Sequence, residues 1–112
     1  MSAERANTGK LKWSYLYFPA IEETIRVLMF GATKYAPNNW KKWFKRSELL
    51  ESMQRHIILL FNEQEHDSES KLHHTWHIIC NAMFYYFHYM NNSFIPEESM
   101  LQSSLKEWEE QP

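Results

Sequence analysis

The run LHHTWHIICNAMFYYFH, Leu72–His88, decides the fold. Its polar residues His74, His77, Asn81 and His88 follow one another at spacings of three, four and seven, which puts them on one face of an α-helix. Almost everything else in the run is apolar, so the helix is expected to be buried, from about Ser70 to Tyr89. Polar groups on a buried helix need partners: a metal, a ligand, or a second polar stripe on a neighbour. Core histidines satisfied by nearby side chains are the plainer reading, while His73 is placed to face water.

Outward from this helix the apolar positions keep helical spacing, and two Gly and four Pro leave few turn residues. Pro19 opens a first helix with Ile21, Ile25, Leu28 and Met29 on one face and Gly31 near its end. Ser47 is placed to N-cap a second, striped by Leu49, Leu50, Met53, Ile57 and Leu60. Pro96 opens a short fourth helix ending near Trp108. The expected fold class is therefore all-α, a single domain over residues 1–112, with 1–12 and 109–112 loosely ordered.

Composition narrows the function. Twelve Lys and Arg stand against fourteen Asp and Glu, a formal net charge of −2, so binding to polymeric nucleic acid through its phosphates is not expected. No run approaches the roughly 20 apolar residues of a membrane span, and no membrane partner is expected. The one cysteine, Cys80, forms no internal disulfide, and the N-terminus is polar, which together suit a cytoplasmic protein. Aromatic residues make up 16% of the chain, enough for a dense core, an oligomer interface, or both.

Three constellations carry chemistry. In the second helix Glu48, Glu51 and Arg55 share a face, with His56 beside them, and this stripe is expected to oppose His74, His77 and Asn81 across a polar cleft. The plainer alternative is a surface Glu51–Arg55 pair. The connecting loop then sets Glu63, Glu65, Asp67 and Glu69 at alternate positions, oxygen donors of the kind that hold Mg2+. It is not an EF-hand, because the required Gly and Glu positions hold Ser70 and Trp76. Nor is it an HD-type phosphohydrolase, because Asp67 is the only aspartate in the chain. A zinc site from His73, His74, His77 and Cys80 would draw on one short helix, which cannot surround a tetrahedral ion unaided. The third constellation, GATKYAPNNWKKW (Gly31–Trp43), interleaves Lys34, Lys41 and Lys42 with Tyr35, Trp40 and Trp43 around an Asn38–Asn39 turn. Lysines for a polyphosphate, an indole for a base and an Asn amide for a purine edge suit a nucleotide, although Tyr35 and Trp40 would equally serve to pack the loop.

Four blocks in order, WSYLYFPAIEETIRVLMFGATKYAPNNWKK, SELLESMQRHI, EHDSES and HHTWHIICNAMF, make the chain resemble the phage dATP/dGTP diphosphohydrolases (MazZ), a MazG-like group. The resemblance covers most of residues 13–90. It implies an all-α bundle of about four helices, completed as a homodimer or homotetramer, that cleaves a deoxypurine triphosphate to monophosphate and pyrophosphate with Mg2+, or Mn2+, and so shapes the nucleotide pool of an infected cell. It implies Lys34, Tyr35, Asn39, Trp40, Lys41, His56 and Asn81 as substrate contacts and Arg55, with Lys34, as a phosphate clamp. Glu48, Glu51, Glu65, Asp67 and Glu69 become metal ligands, Glu51, Glu65 and Asp67 also serving the chemistry together with His74 and His77. The chain departs from the MazG pattern in one respect: Glu48-x-x-Glu51 matches the first acidic helix, but His74-x-x-His77 stands where a second, E-x-x-D, is expected. That departure motivates an alternative, a non-catalytic nucleotide-binding regulator.

Overall fold

Pro19 occupies the first turn of α1 (Phe18–Lys34), where its missing N–H costs nothing. The computed structural model of the chain describes residues 3–98 and residue 109. Gly31 does not end α1, which runs on to Lys34. Tyr35 leaves the helical region with its N–H still on the Gly31 carbonyl at 3.0 Å, and Pro37 two residues later bars continuation. The buried face of α1 carries Thr24 and Val27.

The chain turns through Asn38 in the left-handed region (φ 63°) into a single 3-10 turn, Asn39–Lys41. Trp40 fixes this loop to the next elements. Its ring stacks on Phe84 at 4.8 Å and meets Phe87 edge-on at 5.0 Å.

A second helix, α2 (Arg46–Phe61), begins one residue before Ser47, with Lys45 as a cap that makes no side-chain bond. Ser47 was expected to cap through its own hydroxyl. Instead its N–H and O–H donate to the carboxylate of Glu97 at 2.8 and 2.9 Å, so a residue fifty positions away satisfies the helix start.

The third helix, α3 (His74–Met90), starts four residues later than the periodicity suggests. Residues 66–73 are held out of the helix by an antiparallel bridge between His66 and His73. Bonds from Asp67 N–H to Leu72 O (2.8 Å) and Lys71 N–H to Asp67 O (2.9 Å) close the same loop, with Lys71 at φ 65°. His73 then caps α3, its Nδ1 accepting from Thr75 N–H at 3.1 Å.

The fold is all-α: among the described residues there are three α-helices and no strand, and no helix is long and apolar enough to cross a membrane. Residues 3–12 are exposed and non-helical. Of the expected fourth helix, Pro96–Glu98 are not helical, and the rest up to Trp108 lies outside the described residues. α3 packs mainly on α2 and less on α1. Its buried face is the polar stripe, with His74, Cys80, Asn81 and His88 all buried. Each of its polar groups has a partner: His88 donates from Nε2 to the Trp40 carbonyl at 2.7 Å and pairs through Nδ1 with Ser93 Oγ at 2.6 Å, so this histidine staples the α1–α2 loop to α3. Among the described residues no buried side-chain nitrogen or oxygen lacks a partner.

Candidate active site

The C-terminal end of α1, the loop that follows it, the middle of α2 and the N-terminal half of α3 enclose a cleft of about 820 Å3. Its apolar wall includes Leu28, Cys80 and Phe84, and its polar wall brings together residues far apart in the chain. Lys34, Tyr35, Asn39 and Trp40 enter from α1 and the loop. Arg55 and His56 enter from α2, Asp67 and Glu69 from the bridge-closed loop, His77 and Asn81 from α3.

The α2 residues that oppose the stripe of α3 are not those of the Glu48–Glu51–Arg55 face. One residue round the helix, Ser52 accepts from Asn81 Nδ2 at 3.1 Å, and His56 meets His74 with the two Nδ1 atoms 2.7 Å apart. Asn81 also donates to the His77 carbonyl, which locks its amide. Arg55 still reaches the cleft, whereas Glu48 and Glu51 are exposed, lie outside it and make no ion pair among the described residues; no Glu51–Arg55 bridge forms.

The acidic loop divides in the same way. Glu65 is turned away to accept from His73 Nε2 at 2.9 Å. The proton belongs on Nε2 because Nδ1 accepts from Thr75. Glu69 faces the cleft and pairs with Lys34 at 2.8 Å, and that bond holds the lysine above its ordinary pKa. Asp67 Oδ2 accepts from the N–H groups of Glu69 (3.1 Å) and Ser70 (2.8 Å), an Asx turn that aims the carboxylate inward. Burial pushes Asp67 up, but the bonds from Ser70, the nearby His77 and the Glu69 amide outweigh it, leaving the group below the usual carboxylate value.

His77 Nε2 pairs with Ser70 Oγ at 2.7 Å, and its ring lies parallel to that of His56 at 4.6 Å. Burial lowers both imidazoles. His56 falls to about 4, helped by His77 and His74, and His77 falls by a smaller amount that Asp67 partly offsets. Near neutral pH this imidazole pair is therefore uncharged, a weak base whose ring nitrogens can serve a hydrogen bond or a metal. Buried His74 stands directly behind His56, just outside the cleft lining.

Trp40 presents to the cleft a ring already stacked on Phe84, Tyr35 is largely exposed, and Lys41 lies over the Trp40 ring at 5.4 Å outside the lining. Cys80 donates to the Thr24 carbonyl at 3.4 Å, and burial raises its thiol to about 12, which rules it out as a nucleophile. With Cys80 committed to α1 and His73 to Glu65, the four-residue zinc set does not assemble.

Sequence reasoning passed over Ser52 and Ser70. Ser52 is four residues before His56, so the signal was present in the helical period. Ser70 gave none, because its role depends on the loop closing over α3.

His56, Asp67 and His74 offer one ligand atom each within 4.8 Å of one another. Oxygen donors for Mg2+ are therefore sparse at this point, Asp67 and Glu69 being the carboxylates that reach the cleft.

A protein called dATP/dGTP diphosphohydrolase from Salmonella phage PMBT28 is 34% identical over 87 residues, which cover 78% of this chain and 30% of that protein. The chain thus spans about a third of the relative's length. No solved structure matches it. The family model for "dATP/dGTP diphosphohydrolase, N-terminal" matches residues 2–97, a span that contains every element of the cleft, and the chain belongs to that family.

Proposed function

We propose that the chain hydrolyses a deoxypurine nucleoside triphosphate, dATP or dGTP, to the monophosphate and pyrophosphate, with Mg2+ accompanying the triphosphate. One observation carries the reading: a single cleft joins two cations, Lys34 and Arg55, to two carboxylates, Asp67 and Glu69, beside an apolar wall that includes Leu28 and Phe84. Phosphate oxygens take Lys34 and Arg55, and the base enters between the Leu28–Phe84 wall and the Asn39–Trp40 turn. Lys34 then exchanges Glu69 for phosphate, which frees that carboxylate to take a proton from the attacking water. His56 and His77, neutral at physiological pH, add no positive charge, so Lys34 and Arg55 are the side-chain cations left for the phosphates. Mg2+ would find Asp67 and Glu69 here and supply charge neutralisation on the phosphates. Acting in the cytoplasm of an infected cell, as a homodimer or homotetramer, such an enzyme shapes the deoxynucleotide pool.

One observation favours a second reading, a nucleotide-binding regulator: Glu48 and Glu51 lie outside the cleft. Assaying wild type and Glu69→Gln with dATP and dGTP separates the two. The hydrolase reading expects turnover that stops with EDTA and falls by about 10²–10⁴-fold in E69Q while nucleotide binding persists. Binding without turnover in the wild type supports the regulator, and unchanged turnover in E69Q removes Glu69 from the chemistry.

A further inference from the structure

We infer that His56, His74 and Asp67 form a binding site for a resident first-row divalent transition ion such as Mn2+, Fe2+ or Zn2+. The three come from three separate elements, α2, the 62–73 loop and α3, and their donor atoms lie within 4.8 Å of one another. Around an ion with bonds of about 2.1 Å, neighbouring donor atoms stand about 3.0–3.4 Å apart. The two Nδ1 atoms, 2.7 Å apart in a hydrogen bond, stand just inside that spacing, and the ligand atom of Asp67 lies within 4.8 Å of those of both histidines.

The surroundings are those of a built site. Asp67 is aimed by the amides of Glu69 and Ser70, and His56 is braced by the parallel ring of His77, itself fixed by Ser70 Oγ. Ligand orientation by such outer contacts is what holds metal geometry. His74 is buried while His56 and Asp67 line the cleft, so the ion would be anchored from behind and open in front, beside the groups assigned to phosphate.

The donor set chooses the metal. Two imidazoles and one carboxylate suit transition ions, whereas Mg2+ takes oxygen and keeps its water. The site shares Asp67 with the Mg2+ that accompanies a triphosphate but adds two imidazoles that Mg2+ does not favour, and its existence does not depend on the proposed hydrolysis.

The test is Co2+ titration of the whole chain after chelator treatment, followed by visible absorption and without nucleotide. The expected result is one Co2+ per chain with nitrogen-ligand bands, retained in excess Mg2+. In His56→Gln and in His74→Gln the affinity should drop by more than the ~10–100-fold that follows loss of an outer contact. Circular dichroism confirms that each variant is helical, and Asp67→Asn provides a third variant of unchanged shape should one histidine change unfold the chain. No uptake, displacement by Mg2+, or uptake lost in Glu51→Gln but kept in H56Q would each overturn the inference. Since no nucleotide is present, these results stand apart from any failure of turnover.

Discussion

His56 shows how one residue links stability to pH. Its folded value of about 4 lies below the ordinary 6.5, because burial and the two neighbouring imidazoles disfavour its charged form. The folded chain therefore binds fewer protons than the unfolded one in that window. Its contribution is complete above pH 6.5 and is lost as pH falls toward about 4. His77, also lowered, acts in the same direction. In the metal-free chain the urea midpoint should fall on acidification through this range, and the slope should flatten in His56→Gln; a midpoint that is level or rises on acidification would contradict the assignment. His74, His77 and Asn81 share a face by spacing alone, because burial on a helix forces polar side chains to find one another, whereas His56 entered only as the neighbour of Arg55. The carboxylates were not legible in this way. Glu65 and Glu69 alternate in sequence, yet one pairs with His73 and the other with Lys34, a choice made by loop closure and not by spacing.

At the scale of elements, the helices could be read and their ends could not. Hydrophobic period located α1, α2 and α3, but their limits depend on distant partners: Glu97 meets the start of α2, and the His66–His73 bridge sets the start of α3. The polar face of α2 was misplaced by one residue, since Glu48, Glu51 and Arg55 and the neighbouring Ser52 and His56 are both helical stripes. Only packing decides between them: Leu49 is 2% exposed and turns its own side inward, carrying Ser52 and His56 with it. The loop before α3 holds Lys71 in the left-handed region at φ 65°, which costs a non-glycine residue roughly 1–2 kcal/mol. Lys71→Gly relieves that strain, less the extra entropy glycine loses on folding. A net stabilisation of about 0.5–1 kcal/mol is expected in urea unfolding, and destabilisation would show that the lysine side chain holds the loop.

For the whole molecule, the balance of apolar surface is the main physical feature. Among the described residues Val27, Leu49 and Cys80 are the buried apolar side chains, while Ile25 and Met29 of α1, Ile57, Ile58 and Phe61 of α2, and Tyr86 and Met90 of α3 are exposed. A core so small, with a polar centre, leaves apolar faces that association between copies would cover. Light scattering after size exclusion should return a dimer or tetramer, and a monomer at all concentrations would refute that assembly.

In the proposed hydrolysis the cleft directs water so that one bond of a triphosphate breaks, the link between the α- and β-phosphates. Phosphorus NMR of dATP and dGTP turnover with Mg2+ reads that bond directly. The proposed reaction should yield monophosphate and pyrophosphate in equal amounts with no orthophosphate. Orthophosphate with a diphosphate, or tripolyphosphate with a nucleoside, would contradict it.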